Sequence, residues 1–408
     1  MHLPFARSAQ STLGVEWELA LVDAHDGTLR PVAEEVLAGV ADQAGLHLGQ
    51  EHPHVKPELL LNTVELVTDV CTTVDEAVGQ LRQYARKLRE VTEPMGVELY
   101  CQGSHPFAQP TDEPVTPADR YGKLIDRTQW WGRQMLIYGV HVHVGLDDVA
   151  KAMPVVDGLV NYVPHFLALS ASSPFWAGVD TGYQSQRTLM FQQLPTAGLP
   201  FQFADWAGFE QCVADLVHTG VIDDVTECRW DVRAVPRLGT VEMRVCDGVA
   251  TLEEIAPIAA LTQCLVQDFS DILDAGGTIP TMPPWHVQEN KWRAARYGLD
   301  AIIILNAAGD EMLVTDHLRA ELERLAPVAE RLGCAAELAS VETLLRDGGT
   351  PARQRRVAAH AAHAMTVEQM ESAGLPASTP LAGPDINAPL RAVVADAVAR
   401  TRVSLGGQ

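Results

Sequence analysis

Glu16 and Glu18 stand two residues apart in Gly14-Val15-Glu16-Trp17-Glu18-Leu19, inside an apolar, β-prone stretch from Thr12 to Val22. In a strand, positions two apart point to the same side. This chain must therefore place two carboxylates on one face of a strand whose other face, Trp17, Leu19 and Leu21, belongs to a core. Bare carboxylates there repel one another and are costly to desolvate. A divalent cation is the simplest device that keeps both ionised. The plainer alternative is a solvated edge strand.

The pattern recurs. Gly139-Val140-His141-Val142-His143-Val144-Gly145 puts two imidazoles on one face, Thr240-Val241-Glu242-Met243-Arg244 pairs a carboxylate with a guanidinium, and Asn62-Thr63-Val64-Glu65-Leu66-Val67 brings a further glutamate among β-branched neighbours. Four strands that are polar on one side and apolar on the other predict a sheet with a charged hollow. Buried parallel strands usually read as continuous apolar runs, so the alternation argues for a mainly antiparallel sheet with helices behind it, an α+β fold. Strands are expected near 12–22, 60–68, 97–102, 138–146, 228–234 and 240–246. Helices are expected over 74–92, 147–171 (bent or begun near Pro154), 251–275, 285–298, 311–331, 336–346, 351–372 and 387–403. Thr251 followed by Glu254 reads as a capping box. Two Pro/Gly-rich loops, 103–122 and 172–205, are candidates for binding loops or simple covers. No linker is visible. The whole chain, 1–408, is read as one catalytic domain with a sheet-forming part over about 10–250 and a helical part over about 251–408.

Composition narrows the partners. With 30 basic and 53 acidic residues the net charge is −23, which disfavours nucleic acid and anionic membranes. The seven cysteines include no CxxC pair and read as small buried hydrophobes of a reducing cytoplasm. Neither a secretory leader nor a membrane span is expected from the apolar runs.

Among the candidate site residues, one imidazole of the His141/His143 pair suits a metal and the other a substrate or phosphate contact. Glu58 lies seven residues before Glu65, so strand parity puts the two on opposite faces. They converge only if Glu58 sits in a turn leading into the strand. Arg229, Arg233, Arg237 and Arg244 cluster around the Glu242 strand, and Arg187 lies in the second loop. Such guanidiniums suit an anionic substrate, or else pair with surplus acids. No P-loop, zincin, nucleophile-elbow or dinucleotide-binding pattern occurs. His360 and His363 read as surface or packing residues. Carboxylates with histidine favour Mg²⁺, or Mn²⁺, over structural zinc, and Mg²⁺ in such a cup would ordinarily hold a nucleotide triphosphate.

The segments TLGVEWELALVD, VELVTDVC, GSHPF, GVHVHVG, FLALSASSPFWAGVDTGYQSQR, WDVRAVPRLGTVEMRVCD and KWRAARYGLDA run from Thr12 to Ala301. In that order they resemble the bacterial carboxylate–amine ligases related to glutamate–cysteine ligase, within the glutamine-synthetase-like superfamily. The resemblance implies a saddle-shaped antiparallel sheet with ATP and Mg²⁺ on its concave side and helices on the outer face. It implies that ATP phosphorylates a glutamate-like carboxylate and that a cysteine-like amine attacks the acyl phosphate, with a homodimer as one possible assembly. It further implies metal binding by Glu16, Glu18, Glu58, Glu65, His141 and Glu242. Arg244 falls on the partner of that last glutamate, and Arg187 and Arg233 on phosphate or glutamate contacts. His143, Asn290 and Arg296 would attend the nucleotide. Many relatives carry a third acid where this chain has Trp17, a position that points away from the site. Against the ligase stand two other readings: a metal-dependent hydrolase or lyase that needs no ATP, and a nucleotide or metabolite sensor without catalysis.

Overall fold

A computed structural model describes residues 2–47, 50–373 and 387–407, with backbone alone over 364–373. Its main sheet has seven strands: β1 Leu13–Asp23, β2 Val55–Pro57, β3 Thr63–Val67, β4 Val97–Tyr100, β5 Val140–Gly145, β6 Val232–Val235 and β7 Thr240–Met243. They lie in the order β6-β7-β5-β1-β3-β2, with β4 on the C-terminal half of β1, and every ladder is antiparallel. The α+β reading and the antiparallel sheet hold.

The long strand β1 organises both faces. Val15, Trp17, Leu19 and Leu21 point into the large core, packed with the helices Val74–Thr92, Ala152–Val160 and Leu252–Asp274. Trp17 is fully buried and donates its indole N–H to the Val249 carbonyl at 3.1 Å. The opposite parity carries Glu16 and Glu18, then Ala20 and Val22. Ala20 and Val22 enter a smaller apolar cluster with Tyr100, Tyr138 and Val393 of the helix Ala388–Ser404.

Two threonine caps form, the second being the box read from the sequence. Thr73 accepts from the Glu76 amide at 3.2 Å, and the Glu254 carboxylate accepts from the Thr251 amide at 3.0 Å. Several elements differ from expectation. The 147–171 segment is two helices, Ala152–Val160 and Val163–Ser170, parted at Asn161-Tyr162 rather than at Pro154. Pro154 and Pro164 each lie in a first turn, where a missing N–H costs nothing. The first loop runs into a helix, Asp119–Thr128, and the second contains a short one, Gln186–Phe191. The helix expected over 311–331 starts at Val314, after a strand Glu311–Leu313 that pairs with Ile302–Ile304. The helices Ala33–Gln43 and Trp206–His218 were not foreseen. Among the described residues, no helix is long and apolar enough to cross a membrane.

Candidate active site

Directly opposed residues in an antiparallel pair share a face, so strand register brings the polar positions together. Glu18 faces Glu65, Glu16 faces His141, His143 faces Glu242, and Glu242 faces Arg233. Three adjoining groups result in which one ligand atom per residue lies within 4.8 Å of the others: Glu16, His143 and Glu242; Glu16, Glu65 and His141; Glu18, Glu58 and Glu65. Glu58 joins because it follows β2 in the turn toward β3, the one geometry that escapes the strand-parity objection. Beside these residues opens a cavity of about 990 Å³, lined by Glu16, Glu18, Glu58, Glu65, His141, Arg187 and Arg244, with Leu59, Met135, Ile137 and Phe191 as an apolar wall.

The charges are unequally satisfied. Glu242 has no exposed surface; Arg233 Nε donates to it at 2.6 Å, and Arg244 also donates to it. Burial opposes its charge, yet Arg233, Arg244 and His143 hold its carboxyl well below the ordinary range. Glu16 accepts from His141 Nδ1 at 2.9 Å and contacts His143 Nε2 at 3.2 Å. Burial would raise it, but the His143 charge and the two imidazole hydrogen bonds hold it well below its usual value. His143 is correspondingly raised despite its burial, by Glu242 and Glu16. Burial and the Arg244 charge hold His141 down to about 4, so its ring is neutral. Its Nδ1–H is spent on Glu16, which leaves Nε2 as an acceptor facing Arg187 Nη2 at 3.5 Å.

The third group has weaker relief, since Arg187, Arg244 and Arg120 act on it from the cavity wall but burial outweighs them. Burial and the charge of Glu58 push Glu18 up to about 8. Glu58 is raised chiefly by burial. Glu65 is raised well above the usual value by burial, then by Glu16, Glu58 and Glu18. Half-buried carboxylates that destabilise one another's ionised forms fit a hard divalent cation. That donor set, oxygen-rich with two imidazoles at its edge, suits Mg²⁺ or Mn²⁺.

Four sequence-based assignments shift. His143 does not line the cavity; Nδ1 meets Thr240 Oγ1 at 3.1 Å and Nε2 lies between Glu16 and Glu242. It belongs with the candidate cation ligands rather than with a nucleotide. Arg233 is spent on Glu242 and on the carbonyls of Thr226 and Cys228, so it braces the site instead of facing a substrate. Asn290 is fully buried and commits both ends of its amide to the Ile304 backbone. Arg296 donates to the Gly182 carbonyl and stacks near Tyr183 and Tyr297, outside the cavity lining.

Sequence reasoning missed Arg120. It lines the cavity from the helix Asp119–Thr128, stacked on Tyr121, where a loop was expected. Across the cavity that helix meets the opposite wall, Lys123 contacting Asp223 at 2.8 Å and Arg127 donating to the Gly220 carbonyl at 3.2 Å and lying 4.0 Å from Glu227.

Comparison with known proteins adds to this geometry. The sequence profile of the glutamate–cysteine ligase family 2 matches residues 12–373. A protein of Arthrobacter sp. (strain FB24), provisionally named glutamate–cysteine ligase 2-1, is 68% identical over 360 residues, covering 88% of this chain and 94% of its own. One from Micrococcus luteus, provisionally named glutamate–cysteine ligase 2, is 62% identical over the full length of both. Among solved structures, the glutamate–cysteine ligase of Francisella tularensis, in complex with AMP, superposes with a TM-score of 0.62 at 13% identity, covering 99% of this chain and 96% of that one. A bifunctional glutathione synthetase from Pasteurella multocida also gives 0.62, at 14% identity, over 97% of this chain and 52% of its own.

Proposed function

This chain belongs to the glutamate–cysteine ligase family 2, and from that premise we propose that it is an ATP-dependent ligase joining a carboxylate to an amine, with a glutamate-like acid and a cysteine-like amine as substrates. The observation that carries the reading is the convergence of Glu16, Glu18, Glu58, Glu65 and His141, drawn from three strands and a turn, around one cavity edged by Arg187 and Arg244, with Glu242 buried beside Glu16 and His143. A cup with that much opposed negative charge is wasteful unless cations and a polyanion complete it.

The reaction follows from charge. An oxygen of the substrate carboxylate forms a bond to the γ-phosphorus of ATP, the bridging P–O bond breaks, and ADP leaves. The amine nitrogen then bonds to the acyl carbon, phosphate departs with the C–O electrons, and the nitrogen loses a proton. Both steps bring anions together, so positioning and charge stabilisation supply the rate. The five glutamates with His141 and His143 would hold the divalent cations, which neutralise phosphate oxygens when bound. Arg187 and Arg244 present guanidiniums to the same space. The acyl phosphate must be kept from water, a task for the helix Asp119–Thr128 and the loop that carries Arg187.

The test is direct. Purified protein is incubated with Mg²⁺, ATP, glutamate and a panel of amines, and ADP and amide are followed by mass spectrometry. Amide equal in amount to ADP is the expected result, lost in Glu16→Gln while that variant still unfolds cooperatively. Amide formed without ATP, or nucleotide bound without turnover, would overturn the reading.

A further inference from the structure

Arg187 is an unusual buried cation. It is 3% exposed, and among the described residues no carboxylate lies within 4.0 Å of it. Its Nη1 donates to the Val245 and Arg244 carbonyls at 3.3 and 3.4 Å, and its Nε–H has no partner. An unpaired guanidinium this deep needs something to keep it in place.

Asp247 occupies the position to do so. It follows β7, has no exposed surface and contacts no guanidinium directly. One carboxylate oxygen accepts from Ser185 Oγ at 2.7 Å; the other accepts from Ser173 Oγ at 2.7 Å and the Ser172 amide at 3.0 Å. Ser173 Oγ in turn accepts the amide of Arg187 at 3.0 Å, and Ser185 caps the helix Gln186–Phe191 by accepting from Thr188 at 3.4 Å. Both serine hydroxyls lie within donating distance of Asp247, and the Ser172 N–H can only donate. Burial pushes the Asp247 carboxyl up, while the Arg187 charge, the two serines and the Ser172 N–H favour the ionised carboxylate. The first long loop meets the same point: a Cβ on Gly103 would lie 2.5 Å from Asp247 Oδ2, and the Gly103 amide donates to Ser172 Oγ at 2.7 Å.

We propose that Asp247 is the positioning residue for Arg187: through Ser173 and Ser185 it fixes the segment that carries the guanidinium and supplies a distant counter-charge, so that Arg187 needs no carboxylate of its own and stays free for an oxyanion in the cavity. The role of that oxyanion as a phosphate rests on the ligase reading above. In Asp247→Asn the amide oxygen can keep the Ser172 N–H and Ser173, but its –NH₂ must reverse the Ser185 contact and the counter-charge is lost without a change of size.

The experiment measures binding of inorganic tripolyphosphate with Mg²⁺ by calorimetry, which needs no turnover. Arg187→Ala and Asp247→Asn are each expected to weaken binding at least about tenfold, the scale of one lost charge-assisted hydrogen bond. The double variant is expected to be no worse than either single one, because one interaction is removed twice. Ser173→Ala and Ser185→Ala should fall between, and they carry the test if Asp247→Asn does not fold. Wild-type affinity in Asp247→Asn and both serine variants, or losses that multiply in the double variant, overturns the inference and leaves the ligase reading intact. Failure of the wild-type protein to bind tripolyphosphate, or undiminished binding by Arg187→Ala, removes the phosphate contact itself and counts against the ligase reading.

Discussion

One face of β1 carries two opposite environments within seven residues. Glu16 and Glu18 open onto the cavity; Ala20 and Val22, next on the same side, are sealed under Tyr100, Tyr138 and the helix Ala388–Ser404. The backbone treats the two pairs alike. What differs is the cover. At the sealed end apolar side chains close over apolar positions, the ordinary stabilising arrangement. At the open end the carboxylates are desolvated almost as fully but lack enough cations, and Glu18, Glu58 and Glu65 are driven up by burial and mutual repulsion. The fold therefore gives up stability at one end of a strand to hold charges that only a bound ligand relieves, and recovers it at the other.

The largest effects should come from exchanging the two characters. Glu16→Gln removes a member of two of the three candidate cation groups. Amide formation should fall by about 10³-fold or more, as when a charge-stabilising group is deleted from an active site, with a smaller loss of stability than in Glu242→Gln, because Glu16 pairs with imidazoles and not with two guanidiniums. Ala20→Asp makes the reverse exchange, an acid set among Tyr100, Tyr138 and the other side chains of the smaller apolar cluster. It should cost about 3 kcal/mol or more in stability, measured by urea unfolding, with turnover per folded molecule preserved. A stable Ala20→Asp variant would mean that this end of the strand is not truly sealed.

Glu242→Gln stands between these two. On sequence grounds it should silence the site and spare the fold. The structure revises that, because Glu242 is the buried counter-charge of both Arg233 and Arg244. Breaking such a pair leaves an uncompensated charge and costs about 3–5 kcal/mol. Activity and stability should fall together, which makes Glu16→Gln the cleaner probe.

The same contrast separates what could be read from the sequence from what could not. Glu16, Glu18, His141, Glu65 and Glu242 were legible because period-2 alternation forces each onto a strand face, and one hollow is the economical place for them. The capping box at Thr251 and the amphipathic stripe of 74–92 were legible because they are local. Strand order and register were not, since pairings such as Glu18 with Glu65 join residues far apart in the chain. Glu58 could be placed only by assuming a turn. Arg120 was missed because Pro and Gly around 103–122 mask a helix whose buried face is only Tyr121 and Ile125. Asn290 was assigned to the nucleotide by likeness, whereas its amide closes the Ile304 backbone, a role no local pattern announces.

A smaller effect sharpens the comparison through pH. Without a divalent cation, Glu18, Glu58 and Glu65 keep protons in the folded state that the unfolded chain has already released above its ordinary carboxylate pKa. Stability should therefore fall as pH rises toward about 8, the value to which Glu18 is pushed. His143, raised in the fold, acts in the same direction above the ordinary histidine pKa; His141, held down to about 4, acts oppositely but only below it. The clean window runs from about pH 6.5, the ordinary histidine value, up to pH 8. Melting temperature in EDTA should decline across it. The increment from Mg²⁺ should widen, because protons compete less with the cation. An increment that is flat or shrinks with pH would place the cation elsewhere.

The smallest effect tests how the open end is closed. Lys123 and Asp223 meet at 2.8 Å across the cavity mouth, yet their side chains are 73% and 67% exposed. Such an exposed pair contributes little to stability and weakens with salt. Its helix ends at Gln129, whose φ of 50° is strained for a residue with a side chain. A cover held this lightly can open at each turnover, where the sealed end cannot. Lys123→Ala should leave thermal unfolding unchanged but admit water to the acyl phosphate, so that ADP exceeds amide. Wild-type protein in high salt should drift the same way, and the variant should be insensitive to salt. If the variant still forms one amide per ADP at every ionic strength, water is excluded by the Arg187 loop alone and the helix Asp119–Thr128 only lines the mouth.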